Sequence, residues 1–221
     1  MAILVPQLIN LCAALMLLLA FAMLSQRRIV SLVDLYALQG AVLSISTAIV
    51  AFSSGLSHLY YSAALSFVLK AALLPWILQR LIARLGVRWD REPLLNIPST
   101  MLVGIVLVVF AFGLAQPVAH MATTIARGTL GVALAVILLS FLMMITRSKA
   151  ISQVVGFLAM ENGLFFAATS ATYGMPMVVE LGIALDVLVG VAILGVFFFQ
   201  IREQFDSLDL QHLEKLKEDD P

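Results

Sequence analysis

AISQVVGFLAMENGLFFAATSAT, residues 150–172, carries a single charge in 23 positions, and that charge, Glu161, stands eleven residues from either end. At 1.5 Å per residue, a run of this length is what a helix needs to cross the ~30 Å hydrocarbon core of a bilayer. A solvated amphipathic helix would carry charges along a whole face instead. The stretch therefore reads as a membrane-spanning helix with an acid at its middle. Working outward from it, six more stretches of the same kind lie near 4–24, 29–52, 59–79, 99–119, 123–146 and 177–199, the third able to run on to about Leu85. The runs are continuous and long, whereas a β-barrel would show alternating segments of about ten residues. The expected fold class is an all-α integral membrane protein of seven transmembrane helices.

Composition agrees. Of 221 residues, 62% are hydrophobic and 12% charged, against roughly 45–50% and 25% for soluble domains; mean hydropathy is +1.06. The one cysteine, Cys12, excludes a disulfide scaffold and any iron–sulfur or thiolate-zinc site held by this chain alone. With 13 Lys+Arg against 13 Asp+Glu there is no basic excess for nucleic acid. MAILVPQLIN lacks a basic n-region and a cleavage site, so the first span is expected to be retained.

Eleven of the 13 Lys and Arg cluster in alternate connections: Arg27 and Arg28; Arg80, Arg84, Arg88 and Arg91; Arg147 and Lys149; Arg202, Lys215 and Lys217. The intervening loops SSGLSH, AQPVAHM and SATYGMPM carry none. The positive-inside rule then predicts an N-out, C-in topology. Tyr60, Tyr61, Tyr173 and Trp89 fall at the two interfaces, as an aromatic belt would. The tail from 201 to 221 is the largest polar piece; it reads as a solvated end, with Leu210, Leu213 and Leu216 allowing a short docking helix as the alternative.

Spans 1–3 and 5–7 share a plan. Each trio has a basic inner loop after its first helix, a polar residue about twelve positions on (Gln39, Glu161) and an ionisable residue near the centre of its third helix (Lys70, Asp186). The expected organisation is 3+1+3: a first repeat over 1–85, a linker helix with its loops over 86–122, a parallel second repeat over 123–200 and the charged tail.

Lys70, Glu161 and Asp186 all project near the bilayer midplane. A charged side chain there costs at least ~2.5–3.5 kcal/mol if it faces lipid, so such residues usually face protein or water and tend to be functional. Lys70 can pair with Glu161 or with Asp186; the sequence leaves that open, and it leaves open whether the charges are a proton or ion relay or only buried glue. Buried ion pairs are poor stabilisers, which favours the relay. Pro75 removes an amide donor and is expected to free the carbonyl of Ala71 beside Lys70. Gly190 follows Asp186 and Asn162-Gly163 follows Glu161, admitting close packing or water. Arg127 reads as a snorkelling anchor. Glu180, His58 and His120 read as outer interfacial groups, with a proton exit as the alternative, and Asp34 as an ion partner of Arg27 and Arg28 or an inner uptake residue. No phosphate loop, Ser/His/Asp set or mid-membrane His pair is present in the sequence, so no catalytic centre is expected in this chain.

The second half, with Arg147-Ser-Lys149, VVGFLAMENG and LGIALDVLVGVAILG, resembles the small K-type subunit of respiratory complex I and the small subunit of Mrp-type cation antiporters. Over 1–221 the chain resembles the hydrogenase-4 component E family, seven-helix membrane subunits of group 4 [NiFe] hydrogenase and formate hydrogenlyase-type complexes. The resemblance implies that Glu161 and Asp186 match the two membrane carboxylates of the K-type proton path, although the second is Asp where Glu is usual. The first trio holds Gln39 and Lys70 at the corresponding places, so it is not a second copy of that relay.

Further implications concern the rest of a complex. Lys70 would bias Glu161 or Asp186, and Gln39, Asp34 and Glu180 would be accessories of the relay. The chain would hold no cofactor, with the nickel–iron centre and iron–sulfur clusters on partner subunits. Its partners would be antiporter-like membrane subunits, a complex-I H-type membrane anchor subunit and peripheral hydrogenase and iron–sulfur subunits. Its place would be the cytoplasmic membrane of a bacterium or archaeon. The alternatives are a free-standing secondary transporter or antiporter component and a structural scaffold. A sugar facilitator is disfavoured because Pro75 has no counterpart in span 7, and a retinal protein because the mid-membrane lysine is in span 3.

Overall fold

The computed structural model describes residues 4–55, 57–85, 96–121, 124–172, 182, 188–190 and 192. Among them all regular structure is helical: α1 (Leu4–Ser25), α2 (Ile29–Ser54), α3 (Ser57–Ser66), a π-helical segment (Phe67–Leu73), α4 (Leu74–Leu85), α5 (Ile97–Met121), α6 (Thr124–Thr146) and α7 (Ala150–Thr172). Six spans among the described residues are long and apolar enough to cross a membrane, since α3, the π segment and α4 together make one. They lie where the six expected spans over 4–172 lie. The seventh, expected over 177–199, falls mostly outside the described residues, as do Asp186, Glu180 and the tail.

The reason for helix is the solvent. Hydrocarbon offers no hydrogen bonds, so each backbone amide and carbonyl must be satisfied within the segment. Small hydroxyls follow suit: Ser44 donates to Gly40 O, Thr47 to Leu43 O, Thr146 to Leu142 O and Thr169 to Phe165 O, each at 2.9–3.0 Å.

Met1–Asp186 form one compact unit, and Val187–Pro221 a second, in which 188–190 and 192 are helical. In the first unit the hairpins α1–α2 and α6–α7 stack like on like: α1 packs on α6, and α2 on α7. The third span packs against α2, and α5 lies on α6 and α1. The core sits between the hairpins, with Ile9, Met16 and Met23 of α1, Leu32, Tyr36 and Leu43 of α2, Val136 and Leu139 of α6, and Leu158 and Phe166 of α7 buried. On α5, Leu102, Ile105, Val106 and Val109 stay exposed, as the periphery of a bundle in lipid should be. The protein is a multi-pass membrane protein.

Arg147 lies in the expected connection between α6 and α7, but it is buried rather than solvated. Its Nη2 donates to the carbonyl oxygens of Met23 (3.2 Å), Leu24 (3.0 Å) and Gln26. Met23 and Leu24 lie in the last turn of α1 and Gln26 just past it, where the helix dipole is negative and a cation is favoured. Gln153 Nε2 donates to Arg147 O at 2.9 Å, so the start of α7 is tied to the same knot. The Gln26 side-chain oxygen accepts from the amides of Arg27 and Arg28, closing the α1–α2 turn.

Candidate ion-relay site

Lys70 stands in the π segment. Pro75 cannot donate an amide, and in a regular α-helix its ring would press on the carbonyl four residues back. The chain answers with a wider turn, in which Leu74 N donates to Leu69 O, a known way for a proline to be accommodated inside a membrane. The expected broken ladder beside Lys70 is thus a re-registered one.

Helix α2 stands beside this segment, and Gly40 sets how close they come. A Cβ on Gly40 would lie 2.9 Å from Lys70 Cβ and 3.1 Å from the Lys70 carbonyl carbon and oxygen. Any side chain at 40 would therefore push the π segment off α2. The close approach lets the lysine reach α7, where Lys70 Nζ meets Glu161 Oε1 at 2.8 Å. Both side chains are buried, at 0% and 3% exposure. Lys70 Nζ also lies 5.6 Å from the centroid of the Phe165 ring, one helical turn after Glu161. The structure pairs Lys70 with Glu161; the other expected partner, Asp186, lies outside the described residues.

Beside the pair, Asn162 Nδ2 donates to Gln39 Oε1 at 3.3 Å, linking α7 to α2 with both residues fully buried. Gln39 Nε2 and Asn162 Oδ1 have no partner among the described residues. Gly182 completes the wall: a Cβ there would come within 2.6 Å of Phe165 Cδ2 and 3.9 Å of Glu161 Oε1. A side chain at 182 would have to displace that ring, so Gly182 stands close against Phe165 and Glu161.

Asp34 is not at this centre. It is exposed on α2 and accepts from Gln79 Nε2 of α4 at 2.7 Å, a partner different from the expected Arg27 and Arg28. Arg80 lies one residue on, its guanidinium 5.3 Å from the Trp76 ring. Among the described residues no group of three or more His, Cys, Asp or Glu is placed to hold a metal. The site as described joins one cation, one acid and two carboxamides in an apolar shell; it can share or pass a proton, and it has no nucleophile–base pair for covalent chemistry.

The sequence singled out Lys70, Glu161 and Gln39. It missed the contact of Gly40 with Lys70, the ring of Phe165 and the capping by Arg147. Gly40 follows Gln39 directly, and that adjacency was the available signal; for Arg147 there was none, because its partners are carbonyls more than 120 positions away.

No protein-family model matches the chain. It is 36% identical over 151 residues to the uncharacterized protein Rv0085 of Mycobacterium tuberculosis, a match covering 68% of this chain and 69% of the relative. It is 25% identical over 209 residues to hydrogenase-4 component E of Escherichia coli and of Shigella flexneri, covering 95% of this chain and 97% of those proteins. The chain is a hydrogenase-4 component E homologue. It is also a homologue of Rv0085, and the likeness to the hydrogenase-4 component is a distant one. No solved structure matches it. The match to component E covers 209 of the 221 residues, so Gln39, Lys70, Glu161 and Asn162, all far from either end, lie within the homologous length.

Proposed function

We propose that this chain is a non-catalytic membrane-arm subunit of a hydrogenase-4-like, complex-I-related redox complex, and that it contributes a path for protons or Na⁺ through its mid-membrane charges. The observation that carries the reading is the buried contact of Lys70 with Glu161 at 2.8 Å. Glu161 stands eleven residues, ~16 Å at 1.5 Å per residue, from each end of α7. A charge pair at that depth is poor glue and a usual feature of ion pathways. A proton or cation entering this site would compete with the ammonium for the carboxylate oxygens. Gln39 and Asn162 offer an unpaired donor and acceptor next to that pair, the kind of buried polar atoms that water satisfies. Asp34, five residues before Gln39 on α2, supplies an inner uptake point, and Asp186 the next acid outward.

The same reading includes seven spans in N-out, C-in orientation, parallel three-helix repeats and a place in a prokaryotic cytoplasmic membrane. The partners are antiporter-like subunits, an H-type anchor and peripheral iron–sulfur and hydrogenase subunits that hold the metal centres. The test is Glu161→Gln combined with Asp186→Asn in the native complex. Assembly on a native gel stays intact, and redox-coupled ion movement into sealed vesicles, followed with a pH-sensitive dye and with Na⁺ tracer, drops at least tenfold. Undiminished movement in the assembled double variant leaves only a scaffold role.

A further inference from the structure

Among the described residues, none packs over one face of helix α1. Leu4, Gln7, Leu11, Ala14 and Leu18 follow one another at alternating steps of three and four, and all five are exposed. That spacing is the seam of a helix prepared to pack along another helix. Two amides break its apolar character. Gln7 lies on the seam and Asn10 on its flank, both exposed and neither with a hydrogen-bond partner among the described residues. Asn10 stands six residues beyond the first residue of α1, ~9 Å along a helix of ~33 Å. That places it inside the hydrocarbon layer, where lipid chains offer neither donor nor acceptor. Polar side chains at such positions act as glue between membrane helices, and a small residue such as Ala14 lets two backbones come close.

The occupant must therefore be a helix with polar groups of its own. A second copy of this chain meets the requirement only in part. Two copies in one membrane run parallel, so their α1 helices would meet about a twofold axis. Gln7 would then face Gln7, but flanking Asn10 would meet the opposite flank of the copy one turn on, where Leu15 stands.

We propose that this face of α1 is the docking surface for a transmembrane helix of a different subunit, one that presents Asn, Gln, Ser or Thr at the depth of Gln7 and Asn10. The inference rests on the subunit reading above and adds to it the surface and its chemistry.

The experiment places a benzophenone amino acid at exposed Leu11 of the full chain and irradiates native membranes in which the complex is assembled. One adduct with another integral membrane subunit is expected, identified by mass spectrometry in the co-purified complex. Its yield falls at least fivefold in Gln7→Leu with Asn10→Leu, while the amount of inserted chain is unchanged. Undiminished yield in that double variant overturns the carboxamide basis, and an adduct of two copies of this chain overturns the heteromeric partner. An assembled complex with no protein adduct at Leu11 overturns the docking surface and leaves the subunit reading standing. A chain that purifies alone, without an adduct, overturns both.

Discussion

Lys70 and Glu161 each help to make the other tolerable in the apolar bundle. Removing one partner of a buried pair typically costs on the order of 3–5 kcal/mol, while replacing both by apolar groups is often neutral. Lys70→Met is therefore expected to lower unfolding stability in detergent by that order, and Lys70→Met with Glu161→Met to recover most of it. A double variant as unstable as the sum of the singles would show that the two residues do not interact. Gly40 makes a related point. Gly40→Val puts atoms where the Lys70 backbone stands, so it should abolish coupled ion movement as Lys70→Met does, although it removes no charge. Retained movement in Gly40→Val would mean that the approach of the π segment to α2 is not needed for transfer.

At the scale of elements, the π segment and the α1 terminus show two uses of a backbone irregularity. The π register follows from Pro75, and adding one residue to a turn changes the direction in which Lys70 leaves the helix. Pro75→Ala restores an amide donor and permits a regular helix, in which neighbouring side chains are 100° apart. The expectation is a chain at least as stable to unfolding but with coupled ion movement lost. Full activity in Pro75→Ala would show that Lys70 finds Glu161 from either register. At the other irregularity, Arg147 holds three carbonyls at the end of α1. Hydrogen bonds to a charged group contribute roughly 1.5–3 kcal/mol each and are not additive, so Arg147→Ala should cost about 3 kcal/mol or more. Arg147→Lys, which keeps the charge and loses the planar fork, should restore only part. Equal stability of the Lys and native forms, measured by the same detergent unfolding, would reduce the contact to simple charge.

Over the whole molecule, the turn between α1 and α2 and the turn between α6 and α7 are joined at one end by Arg147 and Gln153, while the turn between α2 and α3 lies at the other. The expected topology can be read out from this. In a Cys12→Ala background, cysteines at Arg27 and Ser148 should react with an impermeant thiol reagent only in inside-out vesicles, and a cysteine at exposed Tyr61 only in intact cells. Labelling of all three from the same side would contradict the arrangement, and reversed sidedness would contradict the orientation alone.

What the sequence determined by itself was the six described helices, their approximate limits and the positions of Lys70 and Glu161 along them. Bilayer thickness sets a length that 150–172 and its companions must match, and depth along a helix is counted in residues. It also marked Lys70, Glu161 and Gln39, because a charge or amide at mid-span stands out against hydrocarbon. Tertiary structure alone decided which of these meet. Lys70 and Glu161 are 91 positions apart, and their contact depends on a π turn, on the missing side chain of Gly40 and on the stacking of one hairpin against the other. Arg147 shows the same limit: the positive-inside rule counts charges by side of the membrane, whereas the end of another helix, more than a hundred residues earlier, is what draws this guanidinium out of water. Local sequence carries periodicity and polarity, but contacts between distant helices depend on shapes and dipoles that exist only once the bundle has packed.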